Sequence, residues 1–213
     1  MPDIIGLLAS PILEGNTAVL LDRTLQGAHD AGCTTELIPL VSLDFQACQE
    51  IYYCKDHETC IFIDDMTQRY PKFAAMHGLV VAAPVMNMAV PGPLKTFIDR
   101  FQVFFTAKYF RKQPLVSQEL RGKRKGLFLA ISGTDRPDVF TGSRLTMKSF
   151  FDVLDCAYHD EFLVPGMDRI RDISSRPDLL DAAYQKGFTL GTLLAQGTPY
   201  LSPGIDQTTA APQ

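Results

Sequence analysis

The chain has 213 residues, 46% hydrophobic and 21% charged, with a formal net charge of −4. This is the composition of an ordinary globular protein, long enough to bury a core without disulfide staples. An acidic balance excludes a general nucleic-acid binder, which would present a basic face. The apolar runs are too short to cross a bilayer, and no basic segment precedes an apolar run at the start, so no membrane partner is expected and the cytoplasm is the expected location. Five cysteines, an odd number, read as reduced thiols.

In chain order, the first element is the apolar run Ile4–Ala9, a buried strand. It empties into Ser10, Pro11, Ile12, Leu13, Glu14, Gly15, Asn16 and Thr17, and an amphipathic helix is predicted over Thr17–Ala31. A strand, a loop rich in hydroxyl and amide groups and a helix start are the parts with which backbone N–H groups cradle a phosphate. Neither G-x-x-x-x-G-K-[ST] nor G-x-G-x-x-G is present, so the loop is not an ATPase loop or a dinucleotide fingerprint. A phosphate held without lysine points to a bound mononucleotide. The other reading of the same residues is ordinary helix capping by Asn16 or Thr17.

A second strand follows at Thr35–Leu40, and then a poorly periodic stretch from Asp44 to Asp64 interrupts the alternation. It is longer than a normal connection and reads as a functional insertion or partner contact. The helix Asp65–Ala75, with Asp65 as its expected N-cap, leads to the strand Leu79–Ala83. The Pro84 to Pro93 loop then precedes a helix over Pro93–Phe105, in which Asp99 and Arg100 read as a structural ion pair. The basic run Arg121 to Lys125 reads as solvated, just ahead of the strand Gly126–Ile131. The loop from Ser132 to Pro137, a helix over Arg144–Leu154, a strand over Tyr158–Pro165 and a helix over Asp178–Gln196 complete the pattern. Residues 202–213 lack core residues and are expected to be mobile.

Apolar strands alternating with helices imply an α/β fold with a parallel sheet covered on both faces. The expectation is a doubly wound, flavodoxin-like five-stranded sheet of order 2-1-3-4-5, one domain over residues 1–201 with an insertion at about 44–64. The loops after the first, third and fourth strands should then converge at the carboxyl edge. They hold small residues and stiffening prolines, with no Ser-His-Asp set, no H-E-x-x-H and no carboxylate pair. Such a site leaves the chemistry to a cofactor.

Ser10-Pro11 with Gly15-Asn16-Thr17, Asp64-Asp65-Met66, Pro84-Val85, and the run Pro93 to Arg100 together resemble the NADPH-dependent FMN reductase family, nearest its iron–sulfur flavoprotein-like branch. The resemblance implies a flavodoxin-like fold, bound FMN, a homodimer or homotetramer, and an oxidoreductase passing electrons from NAD(P)H through flavin to a small-molecule or protein acceptor. Carried over by position, Ser10, Asn16 and Thr17 would hold the FMN phosphate. Pro84, Val85, Met86, Asn87 and Met88 would border the isoalloxazine and ribityl chain, with Ser132, Gly133 and Thr134 on the remaining side. The chain departs from the family where a basic residue usually follows Ser-Pro: Ile12 and Leu13 stand there, so the phosphate charge must be met by backbone dipoles or by a residue from elsewhere. It departs again at Met86, a thioether where the family often has an aromatic.

Cys48, Cys54 and Cys60 are spaced C-x5-C-x5-C. A four-iron cluster normally needs four thiolates, so a cluster is not expected and no metal ligands are assigned. Two other readings of the chain stay open: an electron carrier without enzymatic activity, and a redox sensor working through these thiols. No side chain is required as an obligatory acid or base, and no catalytic residue is named.

Overall fold

The computed structural model describes residues 1–197; the expected mobile segment 202–213 lies outside them. Parallel strands β1 (Asp3–Leu8), β2 (Thr34–Pro39), β3 (Gly78–Pro84), β4 (Lys125–Ile131) and β5 (Ala157–Val164) form one sheet in the order β2-β1-β3-β4-β5. This is the flavodoxin-like order expected from the sequence. The helices are α1 (Asn16–Asp30), α2 (Asp65–Ala75), α3 (Gly92–Asp99), α4 (Gln102–Phe105), α5 (Thr141–Val153), α6 (Met167–Ile170) and α7 (Pro177–Ala195).

The central strands are apolar throughout because successive side chains enter different layers. Ile5, Leu7, Leu79, Val81 and Phe128 pack with Phe73, Phe97, Phe101 and Phe150. Ile4, Leu8, Val80, Leu127 and Leu129 pack on the other face with Leu21, Leu25 and Leu190 from α1 and α7. The last two helices touch backbone to backbone: a Cβ on Gly187 would lie 1.8 Å from Thr24 O, and one on Gly27 would lie 2.1 Å from Tyr184 O. Glycine permits that approach.

Three local expectations are corrected. The strand β5 is not apolar throughout but half-buried along Ala157–Leu163. It is an edge strand, and its Glu161 accepts from Arg144 Nε at 2.9 Å and from Tyr158 Oη at 2.6 Å. Charge on an edge strand discourages pairing with another chain. The expected helix Pro93–Phe105 is broken between α3 and α4, where tighter bonds run from Arg100 N–H to Phe97 O (3.2 Å) and from Phe101 N–H to Ile98 O (2.9 Å). The break turns Arg100 inward, away from Asp99, which pairs instead with Lys95 at 2.6 Å.

The third correction concerns the basic run, whose last two residues are not solvated: Arg124 and Lys125 are 1% and 3% exposed. Arg124 Nη1 donates to Leu154 O at 2.6 Å and Nη2 to Phe73 O at 2.5 Å. These carbonyls lie at the carboxyl ends of α5 and α2, where the helix dipoles favour a cation. Burial still pulls the guanidinium pKa below its ordinary value, against the opposing pull of Cys156 and Asp155.

Candidate functional site

The sheet order brings the ends of β1, β3 and β4 side by side, and the expected loops leave from the same edge. Ladder bonds continue into them: Ala9 N–H donates to Ala82 O (2.8 Å), Val85 N–H to Ile131 O (2.8 Å) and Ser132 N–H to Val164 O (2.9 Å). Ser10, Pro84 and Ser132 therefore stand at neighbouring strand ends.

After β1, Ser10 is buried and closes a tight turn, its Oγ accepting from Ile12 N–H at 3.1 Å. The N-cap of α1 is Gly15, with no side-chain cap, rather than Asn16 or Thr17. The first helical backbone bond is Val19 N–H to Gly15 O at 3.1 Å; among the described residues nothing accepts from the N–H groups of Asn16, Thr17 and Ala18. The Thr17 residue is 3% exposed, yet its hydroxyl has no partner among the described residues. No acidic residue stands in the first turn. An uncapped helix start with a free hydroxyl is a donor set that fits a phosphomonoester. The Asn16 side chain is otherwise engaged: Nδ2 donates to Arg171 O (2.8 Å), and Oδ1 accepts from Ile173 N–H (2.9 Å).

After β3, Met86 and Ala89 exchange backbone hydrogen bonds at 2.9 and 3.1 Å across a two-residue turn. Its central residues Asn87 and Met88 both have positive φ, 49° and 66°. Asparagine accepts that conformation and methionine resists it. The surroundings hold it there, since a Cβ at Gly142, in the first turn of α5, would lie 2.5 Å from Met88 O. Met86 and Asn87 are exposed, and Pro84, Val85 and Met88 are half-buried.

After β4, Ser132, Gly133 and Thr134 accept through their carbonyls from Met167, Asp168 and Gly166 respectively. Met167 N–H donates to Ser132 O at 2.8 Å, Asp168 N–H to Gly133 O at 3.1 Å and Gly166 N–H to Thr134 O at 3.0 Å. The loop after β5 thus joins the loop after β4, and through Asn16 it also joins α1. Sequence reasoning missed this loop. Its signal was Gly166 followed by the charged run Asp168 to Asp172, with Gly166 in the left-handed region at φ 74°.

The insertion is clamped at two levels. At its base, Arg100, whose side chain is 0% exposed, donates from Nη1 to Asp64 Oδ2 (2.5 Å) and Gln46 O (2.7 Å), and from Nη2 to Asp64 Oδ1 (3.1 Å). Asp64, not Asp65, caps α2: it accepts from Met66 N–H at 3.0 Å while Thr67 Oγ1 accepts from Asp64 N–H at 3.2 Å. Asp65 holds Asp44 N–H instead, at 2.8 Å. Burial alone would push the Asp64 carboxyl up. Hydrogen bonds from Arg100, Gln46 and Met66, with the Arg100 charge, outweigh it and hold the carboxyl below its ordinary value.

At its tip, a π-helical turn over Thr106–Phe110 makes Thr106 and Arg111 converge on one carbonyl. Thr106 Oγ1 donates to Cys54 O at 2.8 Å, and Arg111 Nη1 donates to Cys54 O and to His57 O, the latter at 2.8 Å. A cavity of about 550 Å³ lies between this tip and the α3–α4 segment, lined by Cys48, Cys54, Lys95, Phe105 and Phe110. All five cysteines are unbridged. Burial first, and then Cys60 and Cys48 against a hydrogen bond from Thr106, raise the Cys54 pKa and keep it a thiol.

The fold is that of known flavin enzymes. The NAD(P)H:quinone oxidoreductase of Methanothermobacter marburgensis superposes with a TM-score of 0.64 at 22% identity, over 89% of this chain and 96% of that one. An FMN-dependent NADH-azoreductase of Bacillus anthracis, in complex with FMN, gives 0.64 at 17% identity, over 92% of this chain and all (100%) of that one. Residues 2–139 match the model of the NADPH-dependent FMN reductase family, and the chain belongs to that family. An iron–sulfur flavoprotein of Methanosarcina thermophila is 30% identical over 125 residues, 58% of this chain and 65% of that protein. Another, from Methanocaldococcus jannaschii, is 32% identical over 97 residues, 46% of this chain and 50% of that protein. The chain thus spans between half and two thirds of the length of these relatives.

The cluster named in those relatives does not fit the donors here. Cys33 and Cys156 are buried apart from the insertion, which leaves three thiols where a four-iron cluster takes four. Among the described residues no group of three His, Cys, Asp or Glu side chains could hold a metal ion. No helix among them is long and apolar enough to cross a membrane.

Proposed function

We propose that this chain is an FMN-binding, NAD(P)H-dependent oxidoreductase that passes electrons to a small-molecule acceptor. The observation that carries the reading is the start of α1: three backbone donors and the Thr17 hydroxyl without acceptors among the described residues, at the carboxyl end of a central strand, in a chain of the FMN reductase family. Thr17 and the N–H groups of Asn16, Thr17 and Ala18 hold the phosphate, with Ser10 shaping the turn beside them. Pro84, Val85, Met86, Asn87 and Met88 border the ring and ribityl chain from one side, and Ser132, Gly133 and Thr134 from the other.

When bound, FMN supplies reversible two-electron redox chemistry. The chain's own contribution is positional. The turn at Asn87 and Met88 is held in place by α5, so its backbone groups are pre-aimed and do not reorganise on binding. The half-buried Val85 and Met88 exclude water from the ring's edge. Exposed Ile12, Leu13 and Met86 beside the opening suit a homodimer or homotetramer, and the cytoplasm suits unbridged thiols.

Anaerobic addition of NADPH or NADH to flavin-loaded protein tests the reading. The expected result is rapid loss of the oxidised-flavin absorbance. A flavin that binds but answers neither nicotinamide, and is reduced only by a protein donor, would make the chain an electron carrier. Burial raises the Cys54 thiol, which disfavours Cys54 itself as the reactive thiolate of a sensor.

A further inference from the structure

The start of α1 offers donors but no positive charge: from Ser10 to Ala18 the chain holds no lysine, arginine or histidine, and one acid, Glu14. The loop after β5 carries Asp168, Arg169, Arg171 and Asp172. Arg169 pairs with Asp135 at 2.7 Å, and Asp172 accepts from Ser174 N–H at 2.8 Å. Arg171 is exposed, and among the described residues its guanidinium has neither a hydrogen bond nor an ion pair. Its backbone is held fast. Asn16 Nδ2 donates to Arg171 O at 2.8 Å, and Asn16 Oδ1 accepts from Ile173 N–H at 2.9 Å. Two hydrogen bonds to the first residue of α1 set Arg171 beside the unsatisfied helix start, within the span of an arginine side chain.

Arg171 also has φ 62° and ψ −56°, at the centre of a γ-turn closed by Asp172 N–H to Ile170 O at 2.7 Å. That conformation is rare and strained for any residue with a side chain. Glycine would take it freely, and an arginine stands there.

We propose that Arg171 supplies the missing counter-charge to the FMN phosphate, and that Asn16 is the residue that positions it. The proposal rests on the FMN reading above. A guanidinium meets phosphate with paired N–H donors and stays charged at any working pH. The Asn16 side chain thus acts on the phosphate through Arg171, while its backbone N–H faces the phosphate directly.

The test titrates apo-protein with FMN and, separately, with riboflavin, which lacks the phosphate, following the quenching of flavin fluorescence. For Arg171→Gly we expect FMN affinity to fall by about 10- to 100-fold, the range of a charge-assisted contact. Riboflavin affinity should be unchanged, and FMN binding should depend less on salt. Because glycine relieves the turn, the thermal midpoint should equal or exceed the parent's, which separates lost binding from misfolding. Arg171→Lys should recover part of the loss. Asn16→Ala should weaken FMN alone, and adding it to Arg171→Gly should cost less than the sum of the two. An equal loss for FMN and riboflavin, or no loss for FMN, overturns the proposal and leaves the FMN reading standing. A parent protein that binds neither flavin overturns both.

Discussion

Between Asp44 and Asp64 the backbone is irregular but clamped at its base and tip by side chains from other elements. Arg100 takes Gln46 O and both oxygens of Asp64, Thr106 and Arg111 share Cys54 O, and Asp65 holds Asp44 N–H. At Gly15 to Ala18 the reverse holds: Thr17 and Ala18 are buried, yet three N–H groups and a hydroxyl lack acceptors among the described residues. Length and irregularity mark the insertion as the functional segment, but the free backbone donors at a strand's carboxyl end mark the helix start. A clamped loop uses its polar groups on the protein itself; an uncapped helix start at a strand end keeps its donors for an anion.

The comparison breaks most readily at the base of the insertion. Asp64→Ala leaves the Arg100 guanidinium buried without its carboxylate, and we expect a loss of about 3–5 kcal/mol in urea denaturation. A loss below about 1 kcal/mol would mean that the clamp is ornamental. The same pair sets an acid response. Its folded pKa lies below the ordinary 3.8, so its stabilisation is complete above that value and is lost as pH falls through the lower, folded one. Urea midpoints of the parent should therefore drop below about pH 4 by more than those of Asp64→Asn. Parallel curves for the two proteins would remove Asp64 from the acid response.

At the strand ends the expected effect is smaller. Gly142→Leu must push the Met88 carbonyl away, and we expect a stability loss of about 1–3 kcal/mol together with weaker flavin binding. Unchanged flavin affinity with the stability loss would detach the Asn87–Met88 turn from the site. The smallest effect belongs to the thiols. Changing Cys48, Cys54 and Cys60 together to serine should leave flavin binding intact, with parent and variant giving the same flavin titration. Freshly purified parent protein should contain neither iron nor acid-labile sulfide in proportion to flavin. Stoichiometric iron lost in the triple variant would restore the cluster.

What the sequence revealed follows the range of the interactions involved. The helix Asp65–Ala75 was legible residue for residue, because its period and its acidic start are local. The strand order followed from apolar runs alternating with helices. The break at Arg100 was not legible: Leu94, Phe97, Phe101 and Phe104 continue a helical apolar face through it, and the partner Arg100 meets there, Asp64, lies far back in the chain. Arg124 looked solvated because charged runs usually are; its acceptors, Phe73 O and Leu154 O, come from helices distant in sequence. At the site the loops were legible as places, from their prolines and small residues. How Asn16 is used was not, since its partners Arg171 and Ile173 come from the last connection of the sheet. The positive φ of Met88 carries no compositional signal.

The glycine contact between α1 and α7 has a consequence for the order of assembly. With Gly187 seated against Thr24 O and Asn16 bonded across to Arg171, α1 acquires its final seat only when the segment beyond β5 has arrived. Contacts of such wide sequence separation form late and slow the search for the native state. A growing chain that has completed only β1 to β4 would hold α1 on the sheet through Leu21 and Leu25, with its α7 side still open. The bracket from Asn16 to Arg171 and Ile173 is thereby completed only once the chain has closed upon its own beginning.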